Sequence, residues 1–191
     1  MEDDLNSMLW GLGTGNSSKD FLGLQAIVAA SGTLGGIDAS TETWWVSRTD
    51  TAMDLTTIDG VKDIGSMFNG LRVAKSHPDF GFTTQAVFEA YEALAAPNIR
   101  FGTTDKADLG FQTVAFRTAE VLYDADCPSA SWYFLNSKHL QFVKHRDAWL
   151  KMLPFASPVN QDAKTALVIS MGELVTDVRR AHGVITNITT S

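Results

Sequence analysis

Apolar positions recur along this chain with two periods, and the switches between them mark its elements. Met1 to Trp10 places Leu5, Met8 and Leu9 at i, i+3 and i+4, with acids on the other side, which is the spacing of a helix face. Gly11 and Gly13 follow and predict its end. From Thr56 the residues Ile58, Val61, Ile64, Phe68 and Leu71 again fall at helical spacing. Thr56 or Thr57 is the expected N-cap, Asp59 suits the first turn, and internal Gly60 and Gly65 weaken the helix. A third helix is predicted over Thr83–Ala96, capped by Thr83 or Thr84, buried through Val87, Tyr91 and Leu94, and broken by Pro97.

Between the helical stretches the period shortens to two. Short strands are expected at Phe80–Thr84, Gln112–Phe116, Ala119–Tyr123 and Trp132–Leu135, with "DADCPSAS" (Asp124 to Ser131) as the turn between the last two. "TETWWVSRTD" alternates weakly and suits a short strand carrying Trp44 and Trp45. Phe21–Ala30 reads as a strand or a buried connector, and "SGTLGGIDAS" as a loop turning at Gly35-Gly36. "HLQFVKHRDAWLKMLPF" alternates over Leu140 and Phe142. Ala166–Met171, continuing through "ELVTDVRRAHGVITNI", is expected as one long extended strand of a mixed sheet. There is no internal repeat and no low-complexity tract.

Length and composition narrow the class. A chain of 191 residues with 45% apolar and 19% charged residues is globular, one domain of ordinary size or two small lobes sharing a core. Five Trp and eleven Phe supply large side chains for burial. The net charge of -7, with Lys and Arg unclustered, argues against tight nucleic-acid contact, which needs cations to neutralise phosphates. The single Cys127 forms no internal disulfide and points to a reducing compartment, hence to a chain made inside the cell. No run approaches the roughly 18 apolar residues of a membrane span, and "MEDDLNSMLW" lacks the basic start of a signal peptide.

The candidate chemistry is sparse. The glycine-rich loop from Gly11 to Lys19 invites a phosphate-binding reading. A P-loop, however, places Lys directly after Gly and before Ser or Thr, whereas Lys19 lies between Ser18 and Asp20. A dinucleotide fingerprint places Gly where this chain has Asn16, and it follows a strand rather than a helix. His139 and His145 are six residues apart, which is neither the i, i+4 of a helical metal pair nor the i, i+2 of a strand pair; solvated or partly buried histidines are expected. Two carboxylates precede Cys127, and they raise a thiol pKa, the wrong direction for a nucleophile. The acid pairs Asp3/Asp4, Asp124/Asp126 and Glu89/Glu92 read as solvated charge. Lys138, Lys144, His145 and Arg146, interleaved with Phe142 and Trp149, read as an ordinary alternating strand in an acidic chain rather than a single-strand nucleic-acid platform. Elimination leaves a binding or structural protein, with no catalytic, cofactor or metal residues assigned. A small-molecule or nucleotide-binding enzyme using the Gly11–Lys19 loop is the runner-up of a different class.

Five phrases add to this reading. "GTGNSSKDFLGLQAIVA", "LGGIDASTETWW", "TTQAVFEAYEAL", "YFLNSKHLQFVKHRD" and "VNQDAKTALVISMGELVTDVRRAHGVI" together resemble major capsid proteins of tailed bacteriophages, in the same order and at similar spacing, from Asn6 to Ile188. That family is related in fold to encapsulin shells. The resemblance implies an α+β fold with a peripheral-type and an axial-type domain. It also implies a spine helix, of which Met1 to Trp10 is only the end. The N-terminal arm and extended loop that precede this helix in the family are expected to be missing.

The expected domains are residues 1–48 with 178–191 as the peripheral-type unit and 49–177 as the axial-type unit. The implied function is a head subunit that self-assembles through pentamers and hexamers into an icosahedral shell around phage DNA. The alternative is an encapsulin-like compartment. Implied partners are copies of the chain, with scaffold and portal proteins beside them, with packaged DNA touched only weakly by an acidic wall, and with no membrane and no cofactor. The implied location is the virion, after assembly in the bacterial cytoplasm. Trp44, Trp45, Trp132 and Trp149 are candidate core or interface anchors, core being the default for each.

Overall fold

The computed structural model describes residues 2–95, 115–157 and 162–190. It contains helices α1 (Glu2–Trp10), α2 (Gly15–Ser18), α3 (Leu24–Ile27), α4 (Asp59–Gly70) and α5 (Gln85–Ala95). Its strands are β1 (Thr33–Leu34), β2 (Ile37–Asp38), β3 (Arg48–Thr51), β4 (Phe80–Thr83), β5 (Ala115–Phe116), β6 (Ala119–Tyr123), β7 (Trp132–Leu135), β8 (Leu140–Lys144), β9 (Lys151–Met152), β10 (Val168–Ile169), β11 (Gly172–Thr176) and β12 (Gly183–Thr186). This is the mixed α+β architecture expected from the two periods.

The centre is a six-stranded sheet in the order β3-β12-β7-β4-β6-β5. β12 runs parallel to β3 and antiparallel to β7; β4 runs antiparallel to β7 and parallel to β6; β5 is antiparallel to β6. Residues from both stretches of the expected domain division therefore share one sheet, since β12 lies between β3 and β7. Burial on both faces explains why β7 is apolar throughout rather than alternating. The two-residue period sends Trp132 and Phe134 to one face and Tyr133 and Leu135 to the other. β12 divides likewise, Ile185 to the first face and Val184 to the second.

The first face carries α4 and α5, with Ile64, Met67, Phe68, Val87 and Tyr91 packed on it. The second carries α1, α3 and the β1–β2 hairpin, with Trp10, Ile27, Leu34 and Trp45. Trp10 stands edge-on to Tyr133 at 5.1 Å between ring centroids, which seats α1 on the sheet. The β1–β2 turn uses Gly35 and Gly36 at φ +61° and +79°, a left-handed geometry that glycine adopts without penalty.

Several expectations are corrected. Of the two readings of Phe21–Ala30 the buried connector holds and the strand does not: the segment contains the short α3, with Phe21, Leu24, Ile27 and Val28 all buried, and four such neighbours need a turn of helix to face one core. Trp44 and Trp45 sit in a 3-10 turn over Thr43–Trp45, and the strand begins only at Arg48, because the Trp45 ring enters the core and its Nε1 donates to the Leu34 carbonyl at 3.2 Å. At α4 neither threonine caps by its side chain: the N-cap position is Ile58, and Asp54 Oδ1 accepts from both the Thr56 N–H and its hydroxyl. The hydroxyl of Thr83 donates to the Ser131 carbonyl at 2.8 Å, so it ties β4 to the turn before β7 rather than capping α5. Pro97 and the first three residues of the Gln112–Phe116 strand lie outside the described residues.

The expected long final strand is broken into β10, β11, a 3-10 turn at Arg179–Ala181, and β12. The turn redirects the chain from a two-stranded ribbon into the sheet. That ribbon pairs β8 with β11 from Leu140↔Thr176 to Lys144↔Gly172. It resumes as β9 with β10, Lys151↔Ile169 and Met152↔Val168, and reaches an isolated bridge at Ala156↔Thr165. Between the two paired segments, residues 145–150 oppose only residues 170–171, so the outgoing strand bulges.

Candidate assembly surface

The Gly11–Lys19 loop ends α1 by backbone geometry. The Gly11 N–H donates to the Met8 carbonyl at 3.0 Å and the Gly23 N–H to the Gly11 carbonyl at 3.1 Å. A β-carbon on Gly23 would fall 2.5–2.6 Å from the carbonyl oxygens of Met8, Leu9 and Gly11, so the glycine permits the chain to cross the helix end. The depression beside the loop, about 330 Å³, has Asp4 and Asp20 in its lining and neither Lys nor Arg. A phosphate placed there would meet carboxylates, so the loop is built against anions.

The histidines do not converge. His139 and His145 flank opposite ends of β8. His139 Nδ1 lies 2.9 Å from Asp177 Oδ1, His145 Nδ1 accepts from the Asp147 N–H at 3.2 Å, and His77 stacks on Phe68 at 5.3 Å. His182 departs from expectation by being fully buried, and burial is the main cause that pushes its pKa down to about 4. Among the described residues no group of three His, Cys, Asp or Glu is placed to hold a metal ion. Cys127 is buried in the core beneath α1, and its thiol is pushed up to about 12, first by burial and then by Asp124. Its direction matches the sequence reading; the main cause is its desolvation.

The acid pairs divide. Asn6 Nδ2 donates to Asp124 Oδ1 and to Asp126 Oδ2, both at 2.9 Å, and the Ser7 hydroxyl reaches Asp126 Oδ2 at 3.2 Å. These carboxylates therefore tether α1 to the β6–β7 turn instead of only meeting solvent. Glu89 accepts from Gln85 Nε2 at 2.8 Å along α5.

Arg179 carried no signal beyond a charge inside an apolar run, and it is buried. Its Nε donates to the Ile27 carbonyl at 2.8 Å, its Nη2 to Ala26 and Ser31, both at 3.0 Å, and its Nη1 to Gly32 at 3.2 Å. Burial lowers its pKa, and among the described residues no carboxylate pairs with it. The cation is spent on backbone carbonyls and fixes the connector between α3 and the hairpin.

The remaining conspicuous surface is apolar. Trp45 and Trp132 are core residues, Trp149 is half-buried against Phe142 at 5.0 Å, and Trp44 is exposed with its Nε1 donating to Glu42 at 2.6 Å. The ribbon holds most of the exposed large hydrophobic side chains, including Phe155 and Leu167 at 63% and 68% exposure. Lys138, Lys144, His145 and Arg146 are exposed along the same stretch.

Over this geometry the chain superposes on two solved shells. It matches a chain of the capsid asymmetric unit of cyanophage A-1(L) with a TM-score of 0.66 and 18% identity, over 98% of this chain and 66% of that one. The chain has the capsid-shell fold. It matches a chain of the holo-SrpI encapsulin complex from Synechococcus elongatus with a TM-score of 0.64 and 13% identity, over 100% of this chain and 62% of that one. The chain thus spans slightly under two thirds of the length of either neighbour. No protein-family model and no curated protein matches the sequence. In this capsid-shell fold the sheet and its two helical layers form the body, and the ribbon is the element least covered by it.

Proposed function

We propose that this chain is a structural shell subunit, a phage head protein that assembles with copies of itself into an icosahedral shell around DNA. The observation that carries the proposal is the match of nearly the whole chain to subunits of two different shells. The capsid-like phrases of the sequence point the same way, and the acidic lining of the Gly11–Lys19 depression speaks against the nucleotide-enzyme alternative. In this reading residues 1–48 with 178–191 act as the peripheral-type unit and 49–177 as the axial-type unit. The division is one of role, because the two units share the central sheet. Pentamers and hexamers of the chain are its expected partners, with scaffold and portal proteins during assembly in the host cytoplasm and the virion as its final place.

An encapsulin-like compartment is the second reading, favoured by the comparable match to the encapsulin chain. Negative-stain microscopy of the concentrated protein tests the shared claim. Shells, rings of five or six, or ordered sheets are expected, and a strictly monomeric species at every concentration overturns it. Shells that recover with DNA inside favour the phage reading, and DNA-free compartments the other.

A further inference from the structure

We infer that the junction between the ribbon and the central sheet is an acid-operated hinge, in which the His182 ring latches the two chain passes that form it and lets them part when it takes a second proton. The device belongs to the fold itself and does not depend on the shell reading.

The chain crosses this junction twice. The outgoing pass leaves β7 at Asn136 and runs through a 3-10 turn, Ser137–His139, into β8. The returning pass leaves β11 at Thr176 and runs through the turn at Arg179–Ala181 into β12. His182 ends the returning pass and is fully buried. Its Nδ1 accepts from the Asn136 N–H at 3.3 Å, its Nε2 lies 3.1 Å from the Thr176 hydroxyl, and the ring also hydrogen-bonds with the His139 backbone. One imidazole thus holds the exit from the sheet, the turn into the ribbon and the last residue of the ribbon together.

The neighbouring histidine makes the opposite kind of contact. His139 Nδ1 faces the Asp177 carboxylate at 2.9 Å, and an imidazolium keeps that bond, because a carboxylate accepts. His182 Nδ1 faces a backbone N–H, which only donates, and an imidazolium has no lone pair to offer it. The closed junction therefore fits the neutral ring alone.

The charged groups around the ring do not rescue the cation. Asp177 is engaged by His139, and Asp79, before β4, accepts from the Ser137 N–H at 2.7 Å and from the Ser137 hydroxyl. The His139 imidazole disfavours a second charge. Arg179 turns to the Ile27 carbonyl; Arg48, whose N–H donates to the His182 carbonyl at 3.3 Å, sends its guanidinium toward Ser66. Lys138 and Arg180, on the two turns, are exposed. Burial outweighs the His139 backbone bond and the two carboxylates and brings the ring's pKa down to about 4.

A buried ring that is to be charged must reach water. Parting two short turns breaks fewer contacts than dismantling a six-stranded sheet, so the junction is the part that opens. Leu174 is buried and Phe142 stands edge-on to Phe21 at 5.4 Å, which keeps the base of the ribbon on the body as a pivot.

Native-state hydrogen exchange at pH 7 and pH 5 tests the hinge, read as protection factors so that the intrinsic pH dependence of exchange cancels. A ring that titrates near 4 when closed and near 6.5 when open makes the open junction about twentyfold more populated at pH 5 than at pH 7. Peptides covering residues 136–140 and 176–182 are expected to lose protection by that factor, and peptides covering β4 and β6 by less than about twofold. His182→Gln, which takes no charge, is expected to keep its junction protection within about twofold. Should that variant fail to fold, the wild type alone decides. A loss shared equally by junction and sheet assigns the titration to global unfolding and overturns the hinge. Equal junction protection at both pH values overturns it as well, as does the same loss in a folded His182→Gln.

Discussion

Arg179 donates from its Nε to the carbonyl of Ile27, 152 positions away in sequence, at 2.8 Å. With the bonds to Ala26, Ser31 and Gly32, one guanidinium satisfies four carbonyls of a connector that has few backbone partners of its own. Replacing Arg179 by Met removes the donor from the Ala26 and Ser31 carbonyls and leaves those of Ile27 and Gly32 with only the Ser47 hydroxyl and the Ala39 N–H, and is expected to lower unfolding free energy by about 2–4 kcal/mol. Lys retains the charge but lacks the planar fork that serves several carbonyls at once, so Arg179→Lys is expected to recover little. Urea denaturation of the two variants measures this; a wild-type midpoint for Arg179→Lys would show that charge alone suffices.

His182 gives the fold a pH dependence with a definite sign. The Asn136 N–H donates to its Nδ1 at 3.3 Å, and its Nε2 lies 3.1 Å from the Thr176 hydroxyl, so the ring is held neutral with its proton on Nε2. Burial is the largest influence; against it, a hydrogen bond with the backbone of His139 and the Asp177 and Asp79 carboxylates favour the charged ring, while the His139 imidazole disfavours it, and burial outweighs them. The folded pKa of about 4 lies below the ordinary 6.5, so the unfolded chain binds the extra proton between these values. The contribution is complete above pH 6.5 and is lost as pH falls toward 4, about 3 kcal/mol in total. Urea midpoints from pH 7.5 to 4 should fall less steeply for His182→Gln than for the wild type. Parallel slopes would contradict the assignment.

These two residues also mark where the sequence stops being legible. The helices α1, α4 and α5 and the strands β4, β6 and β7 follow from the period of their own apolar residues, because each must turn one face to a core. The break of the last strand does not follow. "ELVTDVRRAHGVITNI" alternates well enough for one extended strand, and it is interrupted because Arg179 must reach carbonyls near Ile27 and His182 must face Asn136. Both partners are distant in sequence, and no local pattern encodes them. Trp44 and Trp45 are a similar case: the Leu34 carbonyl that receives the Trp45 indole belongs to another element. For the candidate surface, the alternation over Leu140 and Phe142 was legible as a strand, but its exposure and the apolar residues on both faces of the ribbon emerge only once its register is known.

Cys127 should be chemically silent in the folded chain. Its thiol is buried beneath α1, with burial and then Asp124 raising its pKa to about 12. The thiolate is the reactive form, so at pH 8 a thiol-specific reagent is expected to label the native protein at least about 100-fold more slowly than the urea-unfolded protein. Rapid native labelling would mean that α1 lifts away from the sheet. Substituting Asn6→Ala, which removes two of the three side-chain bonds from α1 to the β6–β7 turn and leaves that of Ser7, should then accelerate labelling without touching the thiol itself.

Gly81 is required by a ring rather than by a backbone angle. It sits mid-strand in β4 opposite Phe134, and a β-carbon there would lie 2.8 Å from Trp132 Nε1. Trp132 cannot move aside readily: it is fully buried, stacks on Phe134 at 5.6 Å and meets Tyr91 edge-on at 5.1 Å. A glycine inside a strand ordinarily weakens it, and an alanine or valine would favour extended backbone. Here overpacking is expected to dominate, so Gly81→Ala should cost about 1–3 kcal/mol and Gly81→Val more. Combining Gly81→Val with Trp132→Leu gives the β-carbon room, and the double variant should be more stable than the sum of the two single losses allows. Thermal unfolding of the four proteins reads that coupling. Strict additivity would place the cost in the strand backbone and not in the contact with Trp132.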